Sequence, residues 1–285
     1  MKREKTNLMH RVASLMLAVV MVLSVIVVMP KDVKAEVAKT LPSNGGSLTI
    51  TDEECYIVSR EATVITYTAP KDGSLQLTFS NATRITGSYN GVSVDGYAWG
   101  DVTLCNTSMT PLSAVFTYYT DDTRAGFYSE IYGVKKGTTY KIRVLSAGGV
   151  TINAKFTQIK SNLMKNSKKG KAINLKKKKQ TTGVIQAGTT NTHWYKFKLT
   201  KAKKLNVGIT PKLTGSVKIT ITGPGVKKGT FQVDCRYTAG SSYYLGSWGI
   251  RRAFTTSGKV KPGTYYIQVK PISRTCGGSY KINWK

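Results

Sequence analysis

Along most of the chain, apolar residues fall on every second position. In "HWYKFKL" Tyr195, Phe197 and Leu199 share one side, and Lys196 and Lys198 share the other. "KLNVGIT" alternates Leu205, Val207 and Ile209, "TYYIQVK" alternates Tyr265, Ile267 and Val269, and "SYKINWK" alternates Tyr280, Ile282 and Trp284. The same beat runs earlier, in "SLQLTFS" (Leu75, Leu77, Phe79), "TYKIRVL" (Tyr140, Ile142, Val144) and "GVTINAKF" (Val150, Ile152, Phe156). Period-two runs broken by Gly, Pro and Asn predict half-buried antiparallel strands, and many short strands at regular spacing predict β-sandwiches. Helical periodicity is nearly absent after the first thirty or so residues.

The strands come in two sets. "GVKKGTTYKIRV" (133–144) answers "KVKPGTYYIQV" (259–269), and each is followed by a short connection and a closing strand, "GGVTINAKF" and "GGSYKINWK". A repeat of about 120 residues indicates duplicated domains, not a solenoid. The expected organisation is a leader at 1–35, a first sandwich at 36–158, a Lys-rich linker at 159–180 and a second sandwich at 181–285. "AINLKKKKQTTGVIQAG" is expected to lead from the linker into the second copy.

The order "HWYKFKL", "VKITITGPG", "VKPGTYYIQV", "GSYKINW" resembles the bacterial pre-peptidase C-terminal domain family. Its marks here are Trp194 and Tyr195 opening an early strand, and Pro262, Gly263, Tyr265 and Tyr266 in a late one. The resemblance covers about residues 181–285 and, more faintly, 47–158. It implies two tandem jelly-roll-like antiparallel β-sandwiches of an exported protein. The family usually accompanies a catalytic domain, for which no room remains between the two copies. Some relatives bind calcium or collagen.

Charge divides the halves sharply. Residues 36–158 hold 10 Lys+Arg against 11 Asp+Glu, whereas residues 159–285 hold 27 against a single acid, Asp234. Ordinary surfaces mix both signs, so a module this basic calls for an anionic partner. The densest run, residues 166–183, carries seven lysines and no acid. Lys168, Lys169, Lys171, Lys176, Lys177, Lys178 and Lys179, with Arg251 and Arg252, are the expected polyanion contacts; lysine serves as a point charge and arginine as a bidentate clamp. No pattern for specific nucleic-acid recognition occurs.

The N-terminus narrows the choice of polyanion. A basic start, an uncharged apolar run from Val12 to Met29 and small residues Val33 and Ala35 make a secretory signal with Glu36 as the expected mature start. The mature chain would then have no membrane anchor and would sit outside the cell or on a Gram-positive-like wall. Export also makes oxidised cysteines the expectation, paired Cys55–Cys105 and Cys235–Cys276.

Other chemistry is thin. Of the two histidines only His193 follows the leader, and no "GxSxG" elbow is present. The acids "DEE" (52–54) and "DD" (121–122) lack metal-loop spacing. No cofactor, metal or catalytic site is expected. Tyr97, Trp99, Tyr243, Tyr244 and Trp248 lie among Gly and Ser, where rings either stack on a sugar or cap the core. The leading expectation is a monomeric, non-catalytic protein held on an anionic cell-wall polymer or acidic polysaccharide. Two rivals are a glycan-binding lectin that uses the aromatic loops, and an accessory to the secretion or folding of a partner.

Overall fold

The computed structural model describes residues 38–56, 61–81, 83, 86–89, 92–95, 99–119, 128–160, 165–235, 237–239, 242–244 and 247–285. The leader expected at 1–35 lies outside them. Among the described residues no helix is long and apolar enough to cross a membrane.

The chain is all-β and forms antiparallel β-sandwiches. In the first sandwich a five-stranded sheet runs β1 (Ala38–Thr40), β3 (Thr63–Thr68), β10 (Thr139–Ser146), β7 (Trp99–Cys105), β8 (Phe116–Tyr119). Its partner sheet runs β2 (Gly45–Ile50), β11 (Val150–Gln158), β4 (Gly73–Ser80), β9 (Ser129–Val134). A side hairpin joins β5 (Thr86–Tyr89) to β6 (Val92–Asp95).

The second sandwich repeats this order strand for strand. Its five-stranded sheet runs β12 (Ile173–Asn174), β14 (His193–Leu199), β21 (Gly263–Pro271), β16 (Val217–Gly223), β17 (Val226–Val233). The four-stranded sheet runs β13 (Thr181–Ile185), β22 (Gly278–Trp284), β15 (Asn206–Leu213), β20 (Arg252–Thr255). Here the side hairpin, β18 (Tyr237–Ala239) with β19 (Ser242–Tyr244), follows β17; in the first copy it follows β4.

Alternation does what the sequence requires of it. Along β4 and β10 every second residue is buried, and along β14 Tyr195, Phe197 and Leu199 enter the core while Lys198 stays exposed. Each core is clamped between its sheets by stacked rings: Phe79 on Tyr118 at 4.4 Å in the first, Phe197 on Trp284 at 4.4 Å in the second.

One pairing departs from the antiparallel expectation and changes the linker. β1 pairs with β3, and β12 with β14, in parallel. The segment 159–180 therefore contains the first strand of the second sandwich, with Leu175 in its core. Short, largely polar sequence concealed that strand: only Ile173 and Leu175 mark it.

The sandwiches also touch. Ala187, in the loop after β13, donates its N–H to the Gly133 carbonyl at 3.0 Å and packs into the first core. At Gly133 on β9 a Cβ would lie 1.9 Å from the Ile185 carbonyl oxygen, and at Gly278 on β22 one would lie 2.7 Å from the Ile131 oxygen. Backbone meets backbone at both points, with no flexible side chain to yield. Gly133→Val should therefore cost about 1–3 kcal/mol or more and loosen the two sandwiches from each other. Denaturant unfolding of the variant is expected to broaden or split into two transitions, against one shared transition in the parent.

Candidate functional site

The lysine run 176–179 is a tight turn between β12 and β13. Lys179 N–H donates to the Lys176 carbonyl at 3.2 Å, and Lys178 adopts φ 61°. The turn is pinned to the end of β22: Lys178 N–H donates to the Trp284 carbonyl at 2.9 Å, and Trp284 Nε1 donates to the Leu175 carbonyl at 3.1 Å. All four side chains are exposed.

Other lysines gather at this pole. The loop after β14 carries Lys201, Lys203 and Lys204, and Lys203 bridges to Val260, between Lys259 and Lys261. The ammonium of Lys203 has its pKa lowered, first by desolvation and then by the charges of Lys177 and Lys178. Such like-charge crowding favours an anion that relieves it. An open pocket of about 500 Å³, bounded by Gly225, Val226, Phe254 and residues 255–260, adjoins the pole.

From the pole the charge continues over the outer side of the five-stranded sheet. Register places Lys196 beside Tyr266, and Tyr266 beside Thr222; the next row aligns Trp194, Gln268 and Thr220, and another Lys270 with Lys218. The turn Lys169–Lys171 packs on this sheet, with Lys169 Nζ 4.5 Å from the Tyr266 ring centre; Lys168, Lys169 and Lys171 are exposed. Asp234, the one acid of this half, accepts a hydrogen bond from Gln232 Nε2 at 2.6 Å. The ion pair found among the described residues, Lys39–Glu54 at 2.9 Å, belongs to the first sandwich. Trp194 and Tyr266 were read from sequence only as family marks. Their outward placement was legible, because each alternates with core residues.

The remaining expected contacts scatter. Arg251 lies flat on the other sheet, over Gly208, donating to Asn206 Oδ1 and Asn283 Oδ1. Arg252 Nε donates to Ser247 Oγ at 2.6 Å. These bonds hold both arginines on their own sandwich. Trp248 is buried, with Lys212 Nζ 4.8 Å over its ring, so it caps the core instead of offering a face. Trp99 is exposed, on β7 and not in a loop. Tyr97 lies outside the described residues; Tyr243 and Tyr244 are placed by backbone only, in β19.

The cysteines correct an expectation. All four are buried thiols, and no disulfide is present. Cys55 Sγ approaches the Ala147 carbonyl at 3.7 Å, and Ala147 N–H donates to the Trp99 carbonyl, at the start of β7. Cys105 ends the same strand, roughly 20 Å away at ~3.3 Å per residue, far beyond disulfide reach. Cys235 Sγ donates to the Val233 carbonyl at 3.8 Å. Burial pushes the Cys105 thiol up to about 11, against a lowering by Arg143, and the Cys276 thiol up to about 12.

His193 is spent in the core. Its Nδ1 is 2.8 Å from Tyr280 Oη, which is 2.7 Å from Tyr195 Oη, and burial lowers its pKa to about 4. In the first sandwich Asp52 accepts from Gly149 N–H at 2.7 Å and from Thr83 Oγ1, and Glu54 pairs with Lys39, so these acids serve the fold. Asp121 and Asp122 lie outside the described residues. No cluster able to hold a metal occurs among the described residues.

No family model matches the chain, and no curated protein does. Solved structures do resemble it. The pre-peptidase C-terminal domain of a Bacillus anthracis collagenase matches at 16% identity, covering 40% of this chain and 94% of that one, with a TM-score of 0.27. PliG from Salmonella Typhimurium, a periplasmic inhibitor of g-type lysozyme, matches at 20% identity over 40% and 98%, TM-score 0.24. The CUB1-EGF-CUB2 domains of rat MASP-1 match at 10% over 86% and 99%, TM-score 0.25. At these TM-scores the likenesses carry no weight of their own, and the β-sandwich architecture rests on the strand order and pairing described above.

Two measurements follow from the buried groups. An unfolded His193 protonates near pH 6.5 while the folded one resists until about pH 4. Its contribution is therefore complete above about pH 6.5 and is lost as pH falls towards 4, about 3 kcal/mol in all. His193→Gln should flatten the acid limb of a stability–pH curve across that window. Ellman's reagent at about pH 8 should label almost no thiol in the native chain and all four cysteines in concentrated guanidinium, since thiolate is the reactive form.

Proposed function

We propose that this chain is a non-catalytic exported binding protein whose second sandwich docks on an extended anionic polymer of the cell wall or matrix. One observation carries the reading: a pole and an adjoining sheet face crowded with lysine, on a module whose single carboxylate is turned to Gln232. The turn 176–179 is the natural first contact, and the strip through Lys198, Lys196 and Lys169 gives a chain-like ligand a path along the sheet. Trp194 and Tyr266 add flat apolar surface between the charges, so sugar rings of an acidic polysaccharide could rest there while its anions meet lysine. The two copies are proposed as tandem relatives of pre-peptidase C-terminal domains.

Gram-positive walls, with and without their anionic polymers, test the reading. Retention of the chain should require the polymers and fall steeply as sodium chloride rises. Glutamine at Lys176–Lys179 should weaken retention on the order of tenfold at low salt, with the log–log salt slope shallower by up to about one per lysine. Retention indifferent to both polymer and salt would refute the proposal.

A further inference from the structure

A different surface, on the first sandwich, has the makings of a second site. Along β7 Gly100, Val102 and Leu104 are buried, which leaves Trp99 and Asp101 on the opposite side; along β8 Phe116 and Tyr118 enter the core, which turns Thr117 and Tyr119 the same way. The register sets Trp99 directly opposite Tyr119 and Asp101 opposite Thr117. These four residues line an open cleft of about 250 Å³. Trp99 is 37% exposed, unusual for the largest side chain in a sequence whose other described ring of comparable prospect, Trp248, is covered by Lys212.

Each wall has a chemical role. Two neighbouring rings offer a flat apolar strip with polar tips, the indole N–H and the phenol O–H. The Thr117 hydroxyl donates to Asp101 Oδ1, which fixes the carboxylate's orientation. Burial, and then the charge of Asp101, raise the pKa of Tyr119, so its phenol stays a donor. Among the described residues that line the cleft Asp101 is the one charged group, and a negative one; a carboxylate there repels a polyanion and accepts from an array of hydroxyl donors. A cleft this size lies just below the range of small-molecule pockets; it suits a sugar ring or two and is open for a chain to continue.

We infer that the Trp99–Tyr119 cleft binds an uncharged saccharide, one ring face lying on the indole and sugar hydroxyls bonding to Asp101 and Tyr119. The inference is independent of the lysine pole: it needs no basic residue and concerns the other sandwich. The sequence offers Trp99 as a ring that could stack on a sugar, but position hides its partner Tyr119. Trp99 and Tyr119 are separated by two strands' worth of chain, and only the β7–β8 register makes them neighbours.

The test uses the full mature chain at high salt, where electrostatic docking is silenced, titrated calorimetrically with the tetramer of N-acetylglucosamine and with cellotetraose. At least one of these should bind, and it should shift the indole N–H resonance that disappears in Trp99→Ala. Trp99→Ala should raise the Kd at least tenfold, and Asp101→Asn and Tyr119→Phe, which preserve shape and packing, several-fold. Glutamine at Lys176–Lys179 should leave this binding unchanged. Absence of binding by both sugars, or binding that survives Trp99→Ala, Asp101→Asn and Tyr119→Phe, would overturn the inference without touching the polyanion reading. The converse pattern, sugar binding without polymer retention, would leave the cleft standing alone.

Discussion

Stacked rings across the gap between sheets hold the molecule together: Phe79 against Tyr118, and Phe197 against Trp284. Each contact joins one sheet to the other, so each fixes which side of its strand is inside. Since side chains alternate strictly, the choice propagates outward. Placing Phe197 in the core puts Lys196 and Lys198 in water. Placing Tyr118 in the core puts Thr117 and Tyr119 beside Trp99 and Asp101. Trp284 goes further, because its indole N–H and its carbonyl bracket the segment from Leu175 to Lys178 and set the lysine turn in place.

One strand order therefore serves two very different exteriors. The cores are close in kind, built from Tyr, Phe, Val, Ile and Leu. The outer sides are not: one is mixed in charge, the other nearly devoid of acid. The two sandwiches share what closes them and differ at the outward positions, which is where binding chemistry sits on a fold of this sort.

Strands and their inward sides were legible because period two is local: seven residues suffice to show Tyr195, Phe197 and Leu199 together. The outward lysines were legible for the same reason. What escaped was whatever depends on register between distant segments. The parallel strand Ile173–Asn174 is too short to show a period. The Trp99–Tyr119 pair exists only through cross-strand alignment. Cysteine arithmetic paired Cys55 with Cys105 by loop length, whereas the strand between their neighbourhoods keeps them apart. Trp248 and Arg251 looked like loop residues open to a ligand, but their partners, Lys212 and the two asparagines, come from other strands.

The contact at Gly133 has another meaning. β9 is the outermost strand of its sheet, and such a strand ordinarily offers unpaired amides and carbonyls to any passing chain. "SEIYGV" holds one charge, and that residue, Glu130, is buried. Neither a proline nor an outward lysine guards it. Instead the backbone of Ala187 takes the Gly133 carbonyl, and Ile185 presses against the glycine. The basic sandwich thus acts as a built-in stopper for its neighbour's sticky margin, and a chain cut between the two would carry its own seed for strand-to-strand aggregation.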